Sequence, residues 1–343
     1  MNLKGSEYDQ LSAIVEKFPR TTVTVLGDMV ADEFVFGEIS RVSREAPVLI
    51  LKHRERTVVP GGGANAVYNL ATLGVRVLPV GWVGADEPGR LLLERFREKR
   101  ISTQGILRLK DERTVTKTRI LAGMTHTSRQ QVVRIDREPT AELALRHSRQ
   151  LASLALQQLR RSNGLLISDY GYGSATPELF ARIFKTGRTT GVPVTLDSRY
   201  RMLSYSGVTS ATPNEPEVEE ALRFPIENDP SRLAQAGRRL LRRMQLESLV
   251  ITRGRHGMVV FTRGAEPVEI PVFGSDQVAD VTGAGDTVIA AFTAALAAGA
   301  GPASAARIAN YAGGIVVMKR GTATVSRDEL LAAMKADAGR GIR

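Results

Sequence analysis

The segment Asp280–Thr287, DVTGAGDT, carries the clearest chemical signal in the sequence and stands directly before an Ala-rich run that favours a helix. Gly283 and Gly285 leave backbone N–H groups uncovered where that helix would begin, and a helix N-terminus favours phosphate oxygens. Asp286 lies beside this predicted anion site, where a carboxylate can act as general base on an acceptor hydroxyl. The segment therefore predicts phosphoryl transfer, although a Gly-rich turn with Asp286 at a helix start would have the same sequence.

A second glycine-rich segment lies near the other end of the chain. Residues 61–63 are all glycine and Asn65 follows them, at the start of a run whose apolar spacing predicts a short helix ending at Gly74. Glycines of this kind let a backbone approach a ligand closely, but they also occur in ordinary loops.

Alternating strand and helix patterns must position these two segments. The β-branched run at 21–27 predicts a buried first strand. From about residue 140 the predicted helices are 141–161, 177–190, 215–223 and 231–244, and the predicted strands are 164–168, 192–197, 207–212 and 248–252. Strands separated by helices indicate βαβ units, hence an α/β fold with a parallel sheet covered on both faces.

Two stretches of alternating residues interrupt this pattern, at about 33–60 and 106–135. They predict antiparallel strands that together form a small β lid on the α/β body. A hairpin at about 257–272 precedes the DVTGAGDT segment, and the tail at 336–343 is predicted to fray. No linker divides the chain, so we expect a single domain over residues 1–343.

Composition excludes several classes of protein. The chain has 343 residues, 43% of them hydrophobic and 24% charged, and no cysteine, which excludes a disulfide scaffold, a thiol nucleophile and a thiolate metal site. No apolar run approaches the length of a membrane span, and the N-terminus does not resemble a secretory signal, so we expect a cytoplasmic protein.

The formal net charge of +11 leaves more than one interpretation open. It suits phosphorylated ligands, but it could also indicate a nucleic-acid-binding protein. Against nucleic acid, the arginines of predicted helix 231–244 have the spacing of a solvated helix face, and aromatic residues make up only 5% of the chain.

The two glycine-rich segments together resemble a known family. DVTGAGDTVIAAF is similar to the C-terminal signature of the ribokinase-like (PfkB) carbohydrate kinases, and GGGAN resembles their other signature. The resemblance extends from about residue 20 to 335. It implies a ribokinase-like three-layer αβα sandwich with a mainly parallel central sheet and a small β lid, and an enzyme that uses ATP with Mg²⁺.

Further segments narrow the resemblance. Residues 27–32 (GDMVAD) and 41–48 (RVSREAPV) resemble the D-glycero-β-D-manno-heptose-7-phosphate kinases, the kinase half of the bifunctional heptose kinase/adenylyltransferase. Similar segments lie at 116–121, 166–170, 212–214 and 321–326. The adenylyltransferase half would add a domain with a His-x-Gly-His-type motif, and the length and the four histidines leave no room for it, so we expect none.

The resemblance implies roles for individual residues on the sugar side of the site. Asp286 would take the proton from the sugar's anomeric hydroxyl, and Gly283, Ala284 and Gly285 would form the anion hole for the transferring phosphoryl group. Asp32 and Asn65 would bind sugar hydroxyls, with Gly61 and Gly62 letting the backbone approach the sugar. The basic residues expected to meet the distal phosphate of the substrate are Lys117, Arg119 and Arg134 on predicted lid strands.

Other residues would serve the nucleotide and the cations. Asn214 and Glu217 match the family's Asn-x-x-Glu, which organises the magnesium ion and the phosphates. Asp280 and Thr282 would hold a monovalent cation such as K⁺. The residues expected around the nucleotide are Thr252, Arg253, Gly254 and Gly257, with Asn310 at the adenine and Gly283 and Gly285 at the phosphates.

Some of these residues have structural alternatives. Asp32 could cap a turn, Asn214 could be a helix N-cap, and basic residues on lid strands could merely protect a sheet edge. The sequence also departs from the heptose kinase pattern: Tyr172 stands where a Lys is common, and Ser198-Arg199 replaces Pro-Lys. These departures leave open a kinase for another sugar, a sugar phosphate or a nucleoside.

An isolated two-stranded lid would expose an apolar face and free edges, so we expect a homodimer through the β lid. An inactive kinase-fold protein is disfavoured because Asp286 and both flanking glycines are present. The expected partners are therefore ATP, a sugar or sugar phosphate and a second copy of the chain, with neither nucleic acid nor membrane.

Overall fold

A computed structural model describes residues 5–123, 130–139, 142–205, 207–274, 280–319, 321 and 323–340. Within them, a large sheet runs in the order β13-β12-β11-β10-β9-β8-β1-β4-β5. Its strands are β1 (Thr22–Gly27), β4 (Arg76–Gly84), β5 (Ile106–Leu109), β8 (Gly164–Asp169), β9 (Val194–Ser198), β10 (Ser210–Ala211), β11 (Ser248–Thr252), β12 (Met258–Thr262) and β13 (Val268–Ile270). All neighbours pair in parallel except at the β11-β12-β13 edge, which is antiparallel. The expected mainly parallel sheet is confirmed.

Helices cover both faces of this sheet. The helices are α1 (Gly5–Val15), α2 (Gly63–Thr72), α3 (Glu87–Glu98), α4 (Leu145–Leu159), α5 (Pro177–Thr190), α6 (Glu215–Leu222), α7 (Pro230–Arg243), α8 (Ala284–Ala297), α9 (Pro302–Val317) and α10 (Arg327–Arg340). One buried apolar cluster joins the sheet to α1, α2, α3, α8, α9 and α10, and a second joins it to α4, α5, α6 and α7.

Alternation along the strands explains the two clusters. Leu166 of β8 belongs to the first cluster, whereas its neighbours Leu165 and Ile167 belong to the second, because successive side chains of a strand point to opposite faces. The strand is therefore apolar throughout, as a sheet buried on both sides requires. The predicted three-layer αβα sandwich is confirmed.

The lid is a separate sheet of the order β3-β2-β6-β7. It consists of β2 (Met29–Val42), β3 (Leu49–Gly62), β6 (Thr116–Gly123) and β7 (Gln130–Arg137). The second predicted lid segment, 106–135, is wrong at its start. Strand β5 belongs to the large sheet, where it pairs with β4 and Gly81 is opposite Ile106. Ile106 and Leu109 are buried there, so the second lid segment begins at Thr116. Residues 124–129 of the predicted segment lie outside the described residues.

The predicted fraying of the tail at 336–343 is also wrong for residues 336–340, which are helical. Helix α10 continues to Arg340 because Leu330, Met334 and Ala338 are buried, and the Tyr311 hydroxyl donates a hydrogen bond to Asp337. Residues 341–343 lie outside the described residues. Among the helices of the described residues, none combines the length and apolarity needed to cross a bilayer.

Candidate active site

The carboxylate of Asp286 lies in the first turn of α8, where the left-handed Gly283 (φ 78°) forms the helix N-cap. Its side chain is buried, and each of its oxygens accepts one hydrogen bond: Oδ2 from Asn65 Nδ2 at 2.8 Å and Oδ1 from the Tyr170 hydroxyl at 2.7 Å. Burial raises the pKa of Asp286 from 3.8 to about 6, against the opposing effect of these two donors. A carboxylate with this pKa is ionised at neutral pH and can still accept a proton readily.

The backbone beside Asp286 has the predicted form of an anion site. The first turn of a helix has N–H groups without intrahelical acceptors, and Gly285 and Asp286 lie in that turn. Apart from its chain neighbours and its own helix, no atom of the described residues lies within 4 Å of a Cβ placed on Gly285, so this backbone is open toward them. The Ala284 N–H donates to the Val281 carbonyl at 3.2 Å, so the predicted anion hole would rest mainly on the two N–H groups that follow.

Asn65 connects the two glycine-rich segments. It lies in the first turn of α2, is buried, and accepts a hydrogen bond from Asn69 Nδ2 at 3.1 Å through its Oδ1. Asn69 in turn accepts a bond from the Thr287 hydroxyl at 3.0 Å. These side chains fix α2 against the start of α8, so Asn65 supports Asp286 directly, a contact that the sequence did not predict.

Asp32 on β2 is the second carboxylate of the cleft, the space between the lid and the start of α8. It is buried and lies 2.9 Å from the guanidinium of Arg119, which stands on the neighbouring lid strand β6. Gly61 lies on the neighbouring strand β3, where a Cβ would come within 2.6 Å of Asp32 Cγ. The glycine at 61 therefore makes room for Asp32, rather than only for a ligand, and Gly62 is needed for its positive φ of 53° at the start of α2.

Lys117 lies between two aromatic rings on the inner face of the lid. Its Nζ is 5.2 Å from the centroid of Tyr170 and 5.7 Å from that of Tyr172. Burial lowers the pKa of Lys117, with Arg134 and Arg199 adding to the effect and Asp32 opposing it. Lys117 is thus a desolvated cation held close to Asp286, whose pKa its charge lowers.

Strand register places further charges on the same face of the lid. Asp32 is opposite Lys117, and Lys117 is opposite Asp136, while Arg119 is opposite Arg134. Directly opposite residues share a face of a sheet, so the three predicted basic residues of the lid all face the cleft. Arg134 pairs with Asp136 at 2.6 Å, which also lowers the pKa of that carboxyl.

The residues predicted to bind the nucleotide follow β10 and β11. Asn214 and Glu217 form a capping box at the start of α6: Asn214 Oδ1 accepts the Glu217 N–H, and Glu217 Oε2 accepts the Asn214 N–H, both at 2.9 Å. The structural alternative for Asn214, a helix N-cap, is therefore confirmed. The role expected for Asn214 at the magnesium ion and the phosphates stays a prediction. Thr252 bridges to Asn214, which brings the ends of β10 and β11 together.

The loop after β11 contains the other predicted nucleotide residues. Arg253 forms an ion pair with Glu215 at 2.7 Å. Gly254 and Gly257 both have positive φ, and a Cβ on Gly257 would lie 2.1 Å from the Ile270 carbonyl, so the turn requires glycine. Asn310 on α9 is buried and donates to the Pro271 carbonyl at 2.9 Å.

Asp280 and Thr282 form a turn before α8. Asp280 Oδ1 accepts the Thr282 N–H at 2.9 Å, and Oδ2 accepts the Gly321 N–H at 3.2 Å. Burial alone would raise the pKa of Asp280, but these backbone donors hold it below its ordinary value. The neighbouring residues 275–279, 320 and 322, including Thr322 of the quoted 321–326 segment, lie outside the described residues, so the monovalent cation remains a prediction.

The structure also places residues in the cleft that sequence reasoning assigned no role. Tyr170 contacts Asp286, and Asp197 at the end of β9 has a pKa well above its ordinary value because of burial and the charges of Asp286 and Glu217. Both residues follow or end buried strands, and the carboxyl ends of parallel strands are where ligands bind in α/β sheets. That topological signal was available for Tyr170, in the quoted segment LISDY, and for Asp197.

The fold and the site together define a carbohydrate kinase of the αβα sandwich type. The model of the pfkB family of carbohydrate kinases matches residues 20–329, and the chain belongs to that family. Among curated proteins, the chain is 41% identical over 318 residues to the bifunctional protein HldE of Geobacter sulfurreducens, covering 92% of this chain and 64% of that protein. HldE of Geobacter metallireducens is 41% identical over 311 residues, covering 90% of this chain and 62% of that protein. The chain thus spans under two thirds of these relatives.

Solved structures share the fold at low sequence identity. The ribokinase of Arabidopsis thaliana, complexed with ribose and ATP, has a TM-score of 0.71 and 21% identity, covering 92% of this chain and 98% of its own. The phosphofructokinase-2 of Escherichia coli in complex with potassium has a TM-score of 0.73 and 17% identity, covering 93% and 99%. These likenesses confirm the ribokinase-like fold.

Proposed function

We propose that this chain transfers the terminal phosphoryl group of ATP to the anomeric hydroxyl, O1, of D-glycero-β-D-manno-heptose 7-phosphate. The observation that carries the proposal is the buried Asp286 carboxylate at the open N-terminus of α8. The resemblance of residues 27–32 and 41–48 to the heptose kinases, and the relatives named HldE, support the choice of acceptor. Because the proposed reaction consumes ATP, we propose a cytoplasmic location for the chain.

Asp286 is the general base of the proposed reaction. The acceptor hydroxyl donates its proton to the carboxylate as its oxygen attacks the γ-phosphorus, and the bond from that phosphorus to the β,γ-bridging oxygen breaks to release ADP. Charge on the transferring group would be met by the N–H groups of Gly285 and Asp286 and by the α8 dipole. Phosphoryl transfer needs mainly positioning and charge neutralisation, so a general base and a set of anion-binding N–H groups are the kinds of groups that the reaction requires.

The cations of the cleft support an acceptor that already carries a phosphate. Lys117, Arg119 and Arg134 face the cleft from the lid, and Arg199 is close enough to lower the pKa of Lys117. Arg119 is engaged by Asp32, so its first role is to orient that carboxylate toward the sugar hydroxyls. Lys117 and Arg199 would then meet the distal phosphate, and Arg134 would join them while it stays paired with Asp136.

Magnesium is supplied to such reactions with the nucleotide and neutralises the phosphate charge. Within the described residues, no cluster of three or more His, Asp or Glu side chains could hold a metal ion alone. Mg²⁺ in kinases is commonly held by one or two carboxylates together with the phosphates, and Asp197 and Glu217 fit this pattern. Burial raises the pKa of both carboxyls, and a nearby cation would stabilise the ionised form of each. A monovalent cation such as K⁺ would lie near Asp280 and Thr282.

The outer face of the lid supports a homodimer. Val133 and Ile135 alternate with Arg134 and Asp136 along β7, so their side chains point away from the cleft, and they are 47% and 54% exposed. Ile120 of β6 lies opposite Val133 on this outer face. A second copy of the chain would cover this apolar strip and the free edge of β7.

Coupled ADP release with a panel of acceptors tests the proposal. Purified chain is supplied with ATP, Mg²⁺ and, in turn, heptose 7-phosphate, unphosphorylated heptose, fructose 6-phosphate, ribose and adenosine. We expect turnover with heptose 7-phosphate. Turnover with another acceptor alone would favour the second candidate, a PfkB-type kinase for a different sugar, which Tyr172 and Ser198-Arg199 leave open. A lack of turnover with every acceptor would contradict kinase activity.

A further inference from the structure

The loop between β8 and α5 is tied to a buried carboxylate that the proposed reaction does not use. Asp28 lies between β1 and β2 and is 1% exposed. Its Oδ2 accepts the backbone N–H groups of Tyr170 at 2.8 Å and Tyr172 at 3.0 Å, and its Oδ1 accepts that of Ser174 at 2.8 Å. One side chain thus fixes three alternate residues of the loop.

The fixed loop presents two tyrosines to different partners. The Tyr170 hydroxyl donates to Asp286 Oδ1, and its ring lies under the Lys117 ammonium. The Tyr172 hydroxyl donates instead to Glu138 at 2.9 Å, although its ring also contacts Lys117. The two side chains therefore share the cation and differ in whether the hydroxyl reaches the carboxylate of Asp286.

Resting on the function proposed above, we propose that Tyr170 is a positioning residue for the general base, fixed by Asp28 and orienting the Asp286 carboxylate toward the acceptor hydroxyl. Asn65 holds Oδ2 and Tyr170 holds Oδ1, so the plane of the carboxylate is set from two sides. Each carboxylate oxygen has two lone-pair directions, so a substrate hydroxyl can still approach an oxygen that already accepts one bond.

The charged groups around Asp286 and the hydrogen bond from Tyr170 together set the pKa of Asp286. The negative charge of Asp32 on β2 raises the pKa of Asp286, and the positive charge of Lys117 on β6 lowers it. The hydrogen bonds from Asn65 and Tyr170 lower the pKa that burial raises. Removing the Tyr170 hydroxyl leaves the charge of Asp32 and the burial in place, so the pKa of Asp286 should rise.

The test compares Tyr170→Phe with the matched control Tyr172→Phe. Both variants keep the ring beside Lys117 and the backbone N–H bonds to Asp28, and only the first loses a bond to Asp286. A hydrogen bond to a charged group contributes enough that we expect kcat to fall about 10- to 100-fold in Tyr170→Phe. We also expect the acid limb of its pH profile to move up by about one pH unit, with an unchanged KM for ATP.

A measurement without substrate separates this proposal from the proposed function. The Asp286 carboxyl is titrated in the free protein by ¹³C NMR, with its signal identified by its loss in Asp286→Asn. We expect its midpoint to rise in Tyr170→Phe and to stay unchanged in Tyr172→Phe, whatever acceptor the enzyme uses. An unchanged midpoint in Tyr170→Phe, or an active Tyr170→Phe enzyme with wild-type kcat and acid limb, would overturn the positioning role.

Discussion

Replacing Asp286 by Asn should make the folded protein more stable while it greatly slows the proposed reaction. The carboxyl ionises near pH 6 in the folded chain, against an ordinary value of 3.8, because it is buried. The charged form therefore destabilises the fold by about 3 kcal/mol at neutral pH. Asn has the same shape, and it can accept the bond from Asn65 and donate to the Tyr170 hydroxyl, so the fold should keep its contacts.

The size of this stabilisation depends on pH, mainly between about pH 3.8 and pH 6. Below pH 3.8 the carboxyl is neutral in both the folded and unfolded states and has no such cost; the cost grows up to about pH 6 and is complete above it. Because neutral hydrogen bonds are weaker than those to a carboxylate, we expect Asp286→Asn to gain about 1–3 kcal/mol in the free energy of unfolding at pH 7.5. At pH 5 the gain should be about half as large.

Urea denaturation of the two proteins at pH 7.5 and pH 5 measures the gain, and steady-state kinetics measures the loss of kcat, which we expect to be about 10²- to 10⁴-fold. Asp280→Asn is the matched control: backbone donors hold its pKa down, so that variant should be less stable than wild type at pH 7.5. If Asp286→Asn is no more stable than wild type, or if its gain does not shrink at pH 5, the account of a strained buried base is refuted.

Three further predictions address the pH profile, the substrate phosphate and the dimer. The kcat/KM of the wild type should fall on the acid side with a midpoint near pH 6, since the base must be ionised, and a pH series of initial rates checks this. Lys117→Met should raise the KM for heptose 7-phosphate about 10- to 100-fold with an unchanged KM for ATP, whereas the surface variant Arg238→Met, with the same change in charge, should alter neither. Ile135→Asp on the lid should give monomers in size-exclusion chromatography with light scattering, whereas Val268→Asp, on the edge of the large sheet, should leave the dimer intact; a dimeric Ile135→Asp protein would contradict the lid interface.

The fold was largely predictable because its signals are local. The predicted helix at 177–190 coincides with α5, and the predicted strand at 248–252 coincides with β11. The apolar periodicity within each segment is enough to set its type. The errors at residue 106 and in the tail arise where tertiary contacts decide the structure. Strand β5 is short, and its place in the large sheet depends on its pairing with β4, which no local pattern in the sequence indicates.

The candidate site was predictable in its motifs but not in its contacts. Asp286 and its glycines carry a local pattern, and Asn214 has the residue type of an N-cap. The hydroxyl of Tyr170 and the carboxylate of Asp286 are 116 positions apart, and Asp28 lies 142 positions from Tyr170. Only the topology of the parallel sheet brings these residues together, so their contacts cannot be predicted from their spacing in the sequence.

The most direct test of the central claim is to identify the product formed from heptose 7-phosphate and ATP. Proton-coupled ³¹P NMR distinguishes a phosphate on the anomeric carbon from one on any other position, and the reaction is run for the time that the wild type needs to complete it, with the wild type and with Asp286→Asn. We predict a new anomeric phosphate, formed in equal amount to ADP by the wild type and at least about 100-fold less abundant with Asp286→Asn. A phosphate at another hydroxyl, or ADP formed without a new sugar phosphate, would contradict the assignment of this chain as an O1 kinase.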